Sequence, residues 1–198
     1  MPDAIIAKDT LPVNGPGRLS TGWWGMLCLI STEGILFAYL IFSYAYLGVQ
    51  ASGSWPPGGA PPLSLALPNT ILLLASSVVL EVGARRFRSG RDRSTVPVLL
   101  LTALMGAVFV IVQWEEWGRK EFGFTDGAYS SIYFTLTGFH LAHVVAGILA
   151  LLVLAFWGWQ QRLTRGGLHL ALGRMYWHFV DVVWLVVFLT IYIVPQQP

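Results

Sequence analysis

The chain has 198 residues, 55% of them hydrophobic and only 11% charged, with a formal charge of +2 and a mean hydropathy of +0.63. Soluble domains carry nearer a quarter charged residues, and a water-soluble fold of this size would leave too much apolar surface uncovered. The twelve Lys and Arg residues cluster at the ends of apolar runs rather than forming a basic face, which argues against nucleic acid as a partner.

Residues 1–20 carry charges and prolines but no apolar stretch, so no cleavable signal peptide is visible. Residues 1–21 are expected to form a polar arm and residues 22–198 one transmembrane domain inserted by its own first helix. A bilayer core of ~30 Å needs about 20 helical residues. Five segments meet that length, at roughly 22–47, 68–84, 96–117, 130–159 and 175–194. The second is short and the fourth long, so tilt or extension beyond the bilayer is expected of the fourth. The predicted fold is an all-α integral membrane bundle of five helices.

The punctuation agrees. Cys28, in the first span, is a lone thiol that makes neither an internal disulfide nor a metal site. Residues 53–62 (GSWPPGGAPP) can be neither helix nor strand. Pro68 suits the first turn of the second helix, and Ser94-Thr95 caps the third with Pro97 just inside. Residues 118–127 form a charged connector, and Gly166-Gly167 breaks the chain before the last span. Gly138, Ala142 and Ala146, four apart, offer a small-residue face on the fourth helix.

Basic residues set the expected orientation. Lys8 and Arg18 precede the first span; Arg85, Arg86, Arg88, Arg91 and Arg93 follow the second; Arg162, Arg165 and Arg174 precede the fifth. With five spans these fall on one side, leaving Arg119 and Lys120 on the other. The positive-inside rule then puts the N-terminus in the cytoplasm and the C-terminus outside. Trp23, Trp24, Trp114, Trp117, Trp157 and Trp159 fall near predicted interfaces, as an aromatic belt requires.

Ionisable groups inside a span are costly and face the bundle or an aqueous cavity. Glu33 lies roughly 16 Å into the first helix, near mid-membrane, with no basic residue within two turns. It is read either as a titratable or headgroup-binding site, or as a neutral carboxyl bonded to a neighbouring helix. Glu81 precedes Arg85 by four residues, the favourable order for a helical ion pair that anchors a helix end. His140 and His143 share one face of the fourth helix; His178 and Asp181 share one of the fifth, expected one to two turns from its cytoplasmic end. Gln113 and Glu116 lie near the outer end of the third. A b-type haem wants two imidazoles at matched depth, and a copper site wants more nitrogen or sulfur donors than this set offers. Interhelical hydrogen bonding is therefore the favoured reading of the histidines, with His178 bonded to Asp181 or Glu81. No nucleophile elbow, phosphate loop, zinc motif or dinucleotide fingerprint is visible.

The block Tyr176-Trp177-His178-Phe179-Val180-Asp181-Val182-Val183-Trp184 resembles the closing signature of the cytochrome c oxidase subunit III family. So do residues 126–131 (DGAYSS) followed by Thr137-Gly138-Phe139-His140 and His143-Val144. Trp55-Pro56-Pro57, Asn69-Thr70, Gln113 with Glu116, and Glu33 after Thr32 follow in the family's order, so the resemblance covers about Gly22 to Tyr192. Longer members have seven helices; this chain resembles the five-helix bacterial form, which is also seen in quinol oxidases and in accessory proteins of nitric-oxide reduction.

The resemblance implies a multi-pass subunit of the bacterial plasma membrane, within a proton-pumping oxidase that reduces dioxygen to water. The subunit itself is expected to be non-catalytic and to bind no haem or copper, those centres residing in partner subunits. Its expected partners are the haem-bearing subunit I, subunit II and other oxidase subunits, and phospholipid, with a respiratory supercomplex as a further candidate. Its implied roles are to pack on subunit I, hold lipid, sustain proton uptake and offer dioxygen an apolar route inward. Glu33 occupies the position of the family's intramembrane, lipid-associated carboxylate. His140, His143, His178, Asp181, Gln113, Glu116 and Asn69 match family positions read as polar packing, and Glu81 with Arg85 as cytoplasmic anchoring. Two other classes compete. A b-haem anchor would use His140, His143 and His178, and a small transporter would use Glu33 but shows no inverted repeat.

Overall fold

The computed structural model describes residues 20–88, 95–161 and 167–196. Among these residues there are five long helices and no strand. They are α1 (Thr21–Gln50), α2 (Leu63–Arg88), α3 (Thr95–Gly118), α4 (Ala128–Trp159) and α5 (Leu168–Phe188). The last continues through a π-helical turn, Leu189–Ile193, and a 3₁₀ turn, Val194–Gln196. All five are long and apolar enough to cross a membrane.

Two helices begin earlier than the punctuation predicts. α2 starts at Leu63, directly after Pro61-Pro62, so Pro68 lies inside it rather than at its first turn. A proline in the second turn removes a single ladder bond, and Ala66, fully buried, ties the preceding turn to the bundle. α5 starts at Leu168, after Gly167 in a left-handed conformation (φ 63°). Its early turns are held by packing: Leu154 of α4 seats on Gly173, where a Cβ would come within 2.5 Å of Leu154 Cδ1. His178 and Asp181 therefore lie about three and four turns into their helix, deeper than expected. Thr95 opens α3 as its first residue, whereas Ser94 lies outside the described residues.

α2, α3, α4 and α5 close a ring, each packing on its neighbours in sequence and α5 returning to α2; α1 lies outside against α4 and α5. Only 6% of α1's apolar window is buried within the chain, against 33–50% for the other four. Its inward seam is Phe37, Leu40, Tyr44 and Leu47, spaced three to four residues apart. Outside that seam Ile35, Tyr39 and Phe42 are exposed. The helix needs a lipid or protein partner to cover it.

The core centres on α5. Trp177, Trp184 and Tyr192 are fully buried. Trp177 passes between α3 and α4 because both present glycine to it. A Cβ on Gly106 would lie 2.6 Å from Trp177 Cη2, and one on Gly147 would lie 2.9 Å from Trp177 Cε3. Within the chain Gly147 makes the close approach, whereas Ala142 and Ala146 of the predicted small-residue face are exposed. Trp24, Trp114 and Trp159 are exposed near helix ends, where a belt would place them.

Gly106→Ala should destabilise the protein by about 1–3 kcal/mol, the range for overpacking a fitted core. Trp177→Phe in the same chain should recover part of that loss. Thermal unfolding followed by circular dichroism measures both; additive effects of the two substitutions would contradict the seating described.

Candidate functional site

Glu33 is not isolated. Its Oε2 lies 3.0 Å from His143 Nε2 of α4, with both side chains partly buried. The other ring nitrogen, Nδ1, lies 2.6 Å from the carbonyl oxygen of Phe139. A carbonyl only accepts, so Nδ1 carries a hydrogen and the remaining proton sits in the bridge to Glu33. With one proton there the pair is net neutral, whether it is written as carboxyl and imidazole or as carboxylate and imidazolium. Tyr176 of α5 closes the unit by donating to the His143 carbonyl oxygen at 3.3 Å.

A second cluster joins α2 to α5. Glu81 accepts from Arg85 Nε and from Arg174, each at 3.1 Å, and faces His178 Nε2 at 3.9 Å. The pair expected with Arg85 is present, and the second arginine makes Glu81 an interhelical clasp as well as a helix end. His178 Nδ1 lies 3.1 Å from Ser77 Oγ, and Ser77 donates to Asp181 Oδ2. His178 and Asp181 thus meet through the Ser77 hydroxyl of α2 rather than directly.

A third cluster lies where α3 and α5 end. Glu116 Oε1 accepts from Tyr192 Oη at 2.7 Å and from Lys120 Nζ at 3.0 Å. Because Tyr192 donates its hydrogen to Glu116, Tyr133, 3.2 Å away, donates to Tyr192. Lys120 also lies over the rings of Tyr133 and Tyr192, at 5.2 and 5.9 Å from their centres. Its side chain is 11% exposed and that of Glu116 only 6%. Lys120, in the charged connector, is folded back into the bundle. Beside it Trp55 packs edge-on against Tyr44 and Tyr129, fastening the Pro-rich loop to α1 and α4.

The remaining candidates sit in the core. Asn69 Nδ2 donates to the Phe109 carbonyl oxygen of α3 at 3.2 Å. Gln113 is buried, and neither end of its amide has a hydrogen-bond partner among the described residues. His140 departs from expectation. It is fully buried, and neither ring nitrogen has a partner among the described residues. The ring is held by aromatic contact, stacked on Trp184 at 4.7 Å and edge-on to Phe109 at 5.8 Å. Trp184 is itself fixed by donating to Thr70 Oγ1 at 2.9 Å.

The three histidines therefore face three different surroundings: an aromatic cage, a carboxylate and a serine. Among the described residues no group of three or more His, Cys, Asp or Glu side chains could hold a metal. An apolar groove of about 480 Å³ opens between α1, α4 and α5, lined by Met26, Leu29, Ala150, Trp157, Leu172 and Tyr176 among others. Leu29 lies one turn before Glu33, and Tyr176 bonds to His143, so the groove ends beside the Glu33–His143 pair. Hydroxyls missed by the sequence reading recur throughout. Ser76 accepts from the Trp177 indole at 3.0 Å, Thr70 accepts from that of Trp184, and Ser77 donates to Asp181.

These features define a multi-pass helical membrane subunit whose polar side chains tie helix to helix. The family model for cytochrome c oxidase subunit III matches residues 17–196. Cytochrome c oxidase subunit 3 of Synechocystis sp. is 35% identical over 178 residues, covering 86% of this chain and 74% of that protein. The same subunit of Lumbricus terrestris is 34% identical, covering 95% and 76%, and that of Latimeria chalumnae 33%, covering 92% and 71%. The chain belongs to the cytochrome c oxidase subunit III family, and so to a respiratory oxidase complex.

Lys120→Met should destabilise the subunit by about 3–5 kcal/mol, because Glu116 would be left as a buried, uncompensated charge. Adding Glu116→Gln should recover most of that loss. Chemical denaturation of the purified complex measures the cycle; a neutral single substitution would show the pair to be solvated.

Proposed function

We propose that this chain is the non-catalytic third subunit of a haem-copper terminal oxidase supplied by cytochrome c. In this reading it lies in a bacterial plasma membrane with its N-terminus in the cytoplasm, the side to which the arginine-rich ends of the second and fifth spans point. It packs on the haem-bearing subunit I beside subunit II, holds phospholipid, sustains proton uptake and lends dioxygen an apolar approach. It binds no haem or copper itself.

The observation that carries this reading is α1. A helix apolar on nearly all sides, with 6% of its window buried, is stable in a membrane only when lipid or a partner subunit covers it. The groove between α1, α4 and α5 is apolar, and its volume of about 480 Å³ suits an acyl chain or a small apolar molecule. At its end the net-neutral Glu33–His143 bridge offers a polar contact without a bare charge.

Purification in mild detergent tests the assignment. A large haem-bearing chain should accompany this one, with a dicopper subunit beside it; recovery of the chain alone with stoichiometric haem would overturn the reading.

Glu33→Gln keeps a hydrogen bond to His143 but removes the carboxyl group. The complex should assemble, retain less phospholipid per oxidase and lose activity faster over repeated turnovers. Lipid analysis and progress curves read this. Unchanged lipid content and durability, or failure to assemble, would contradict a tuning role for Glu33.

A further inference from the structure

We propose that His178, Ser77 and Asp181 form a proton relay, which carries a proton between the charged Glu81 cluster and the buried carboxyl of Asp181. The three groups are in hydrogen-bond contact in that order, across the α2–α5 seam. His178 is the partly exposed end and Asp181 the buried one. A serine hydroxyl donates one hydrogen and accepts others, so the direction of the chain is set by where the proton lies. With the proton on Asp181, Oδ2–H donates to Ser77 Oγ, and the Ser77 hydroxyl donates to His178 Nδ1. When it passes outward, the carboxyl O–H and the serine O–H break, a new serine O–H and an Nδ1–H form, and a carboxylate and an imidazolium remain. Ser77 then donates to Asp181 Oδ2 and accepts from Nδ1. The atoms are the same in both states, and no group moves farther than a hydrogen bond requires.

The surroundings favour neither end absolutely. Asp181 has no cation within ion-pair distance among the described residues, and its Oδ1 has no hydrogen-bond partner there. A carboxyl so placed is held by the hydroxyl alone. At the other end Glu81 faces His178 Nε2 at 3.9 Å, while Arg174 on α5 and Arg85 on α2 bind Glu81. Among the described residues, α1, α3 and α4 bring no charged side chain within ion-pair reach of His178 or Asp181. The relay needs only this chain's residues and stands whichever electron donor the oxidase uses.

Infrared spectra of the whole oxidase complex test it through the carbonyl band of a protonated carboxyl. The band assigned to Asp181 should vanish in Asp181→Asn; Asp181→Glu, which keeps the acid and shifts the band, provides the assignment if the amide does not assemble. After transfer to heavy water the band should shift promptly in the wild type and about a hundredfold more slowly in Ser77→Ala, the scale of one positioned proton carrier. Ser77→Thr should restore the fast exchange, whereas a purely structural role for the serine would leave the rate unmoved. A spectrum with no Asp181 band at any pH, or an exchange rate unchanged in Ser77→Ala, would overturn the relay.

Discussion

The bundle depends on a ladder of side-chain hydrogen bonds between α2 and α5. From one end to the other, Thr70 accepts from Trp184, Ser76 from Trp177, Ser77 bridges Asp181 and His178, and Glu81 clasps Arg174. Between membrane helices apolar contact brings little net gain, because lipid tails are as apolar as leucine. Close packing and polar contacts therefore decide which faces meet. Each rung joins antiparallel helices, and together they fix the register of α5 against α2.

The rest of the structure follows from that register. Once Trp177 is aimed at Ser76, its ring must pass between α3 and α4, which is why Gly106 and Gly147 stand where a side chain would collide with it. Once Trp184 is aimed at Thr70, its ring stacks on His140 and stands nearly perpendicular to that of Phe109. The histidine at the centre is thereby packed among aromatic rings. The far end of α5 brings Tyr192 to Glu116, closing the ring on α3. α1 takes little part in this and is tied on by Glu33, Phe37 and Tyr44. The outward face of α1 is left apolar and open.

Much of this was legible in the sequence. Span number and helical class follow from length and hydropathy, and the Glu81–Arg85 pair follows from helical spacing alone. The helix starts at Leu63 and Leu168 were missed because packing, not local propensity, extends those ends past Pro68 and Gly173. Partners distant in sequence were invisible: Glu33 and His143 are separated by 110 residues, and nothing local marks either as the other's neighbour. Small hydroxyls gave no signal, since Ser and Thr are ordinary in membrane helices and also bond to their own backbone, as Thr32 and Thr102 do. The inward fold of Lys120 had no local signal, because its contacts are to Tyr133 and Tyr192, distant in sequence.

The ladder is tested most directly by a double-mutant cycle on its rung between two buried side chains at one end, Thr70→Val with Trp184→Phe, read from unfolding of the purified complex. A coupling energy of about 0.6–2 kcal/mol is predicted, the range for hydrogen bonds between membrane helices. A coupling indistinguishable from zero would mean that α2 and α5 are held together by shape alone.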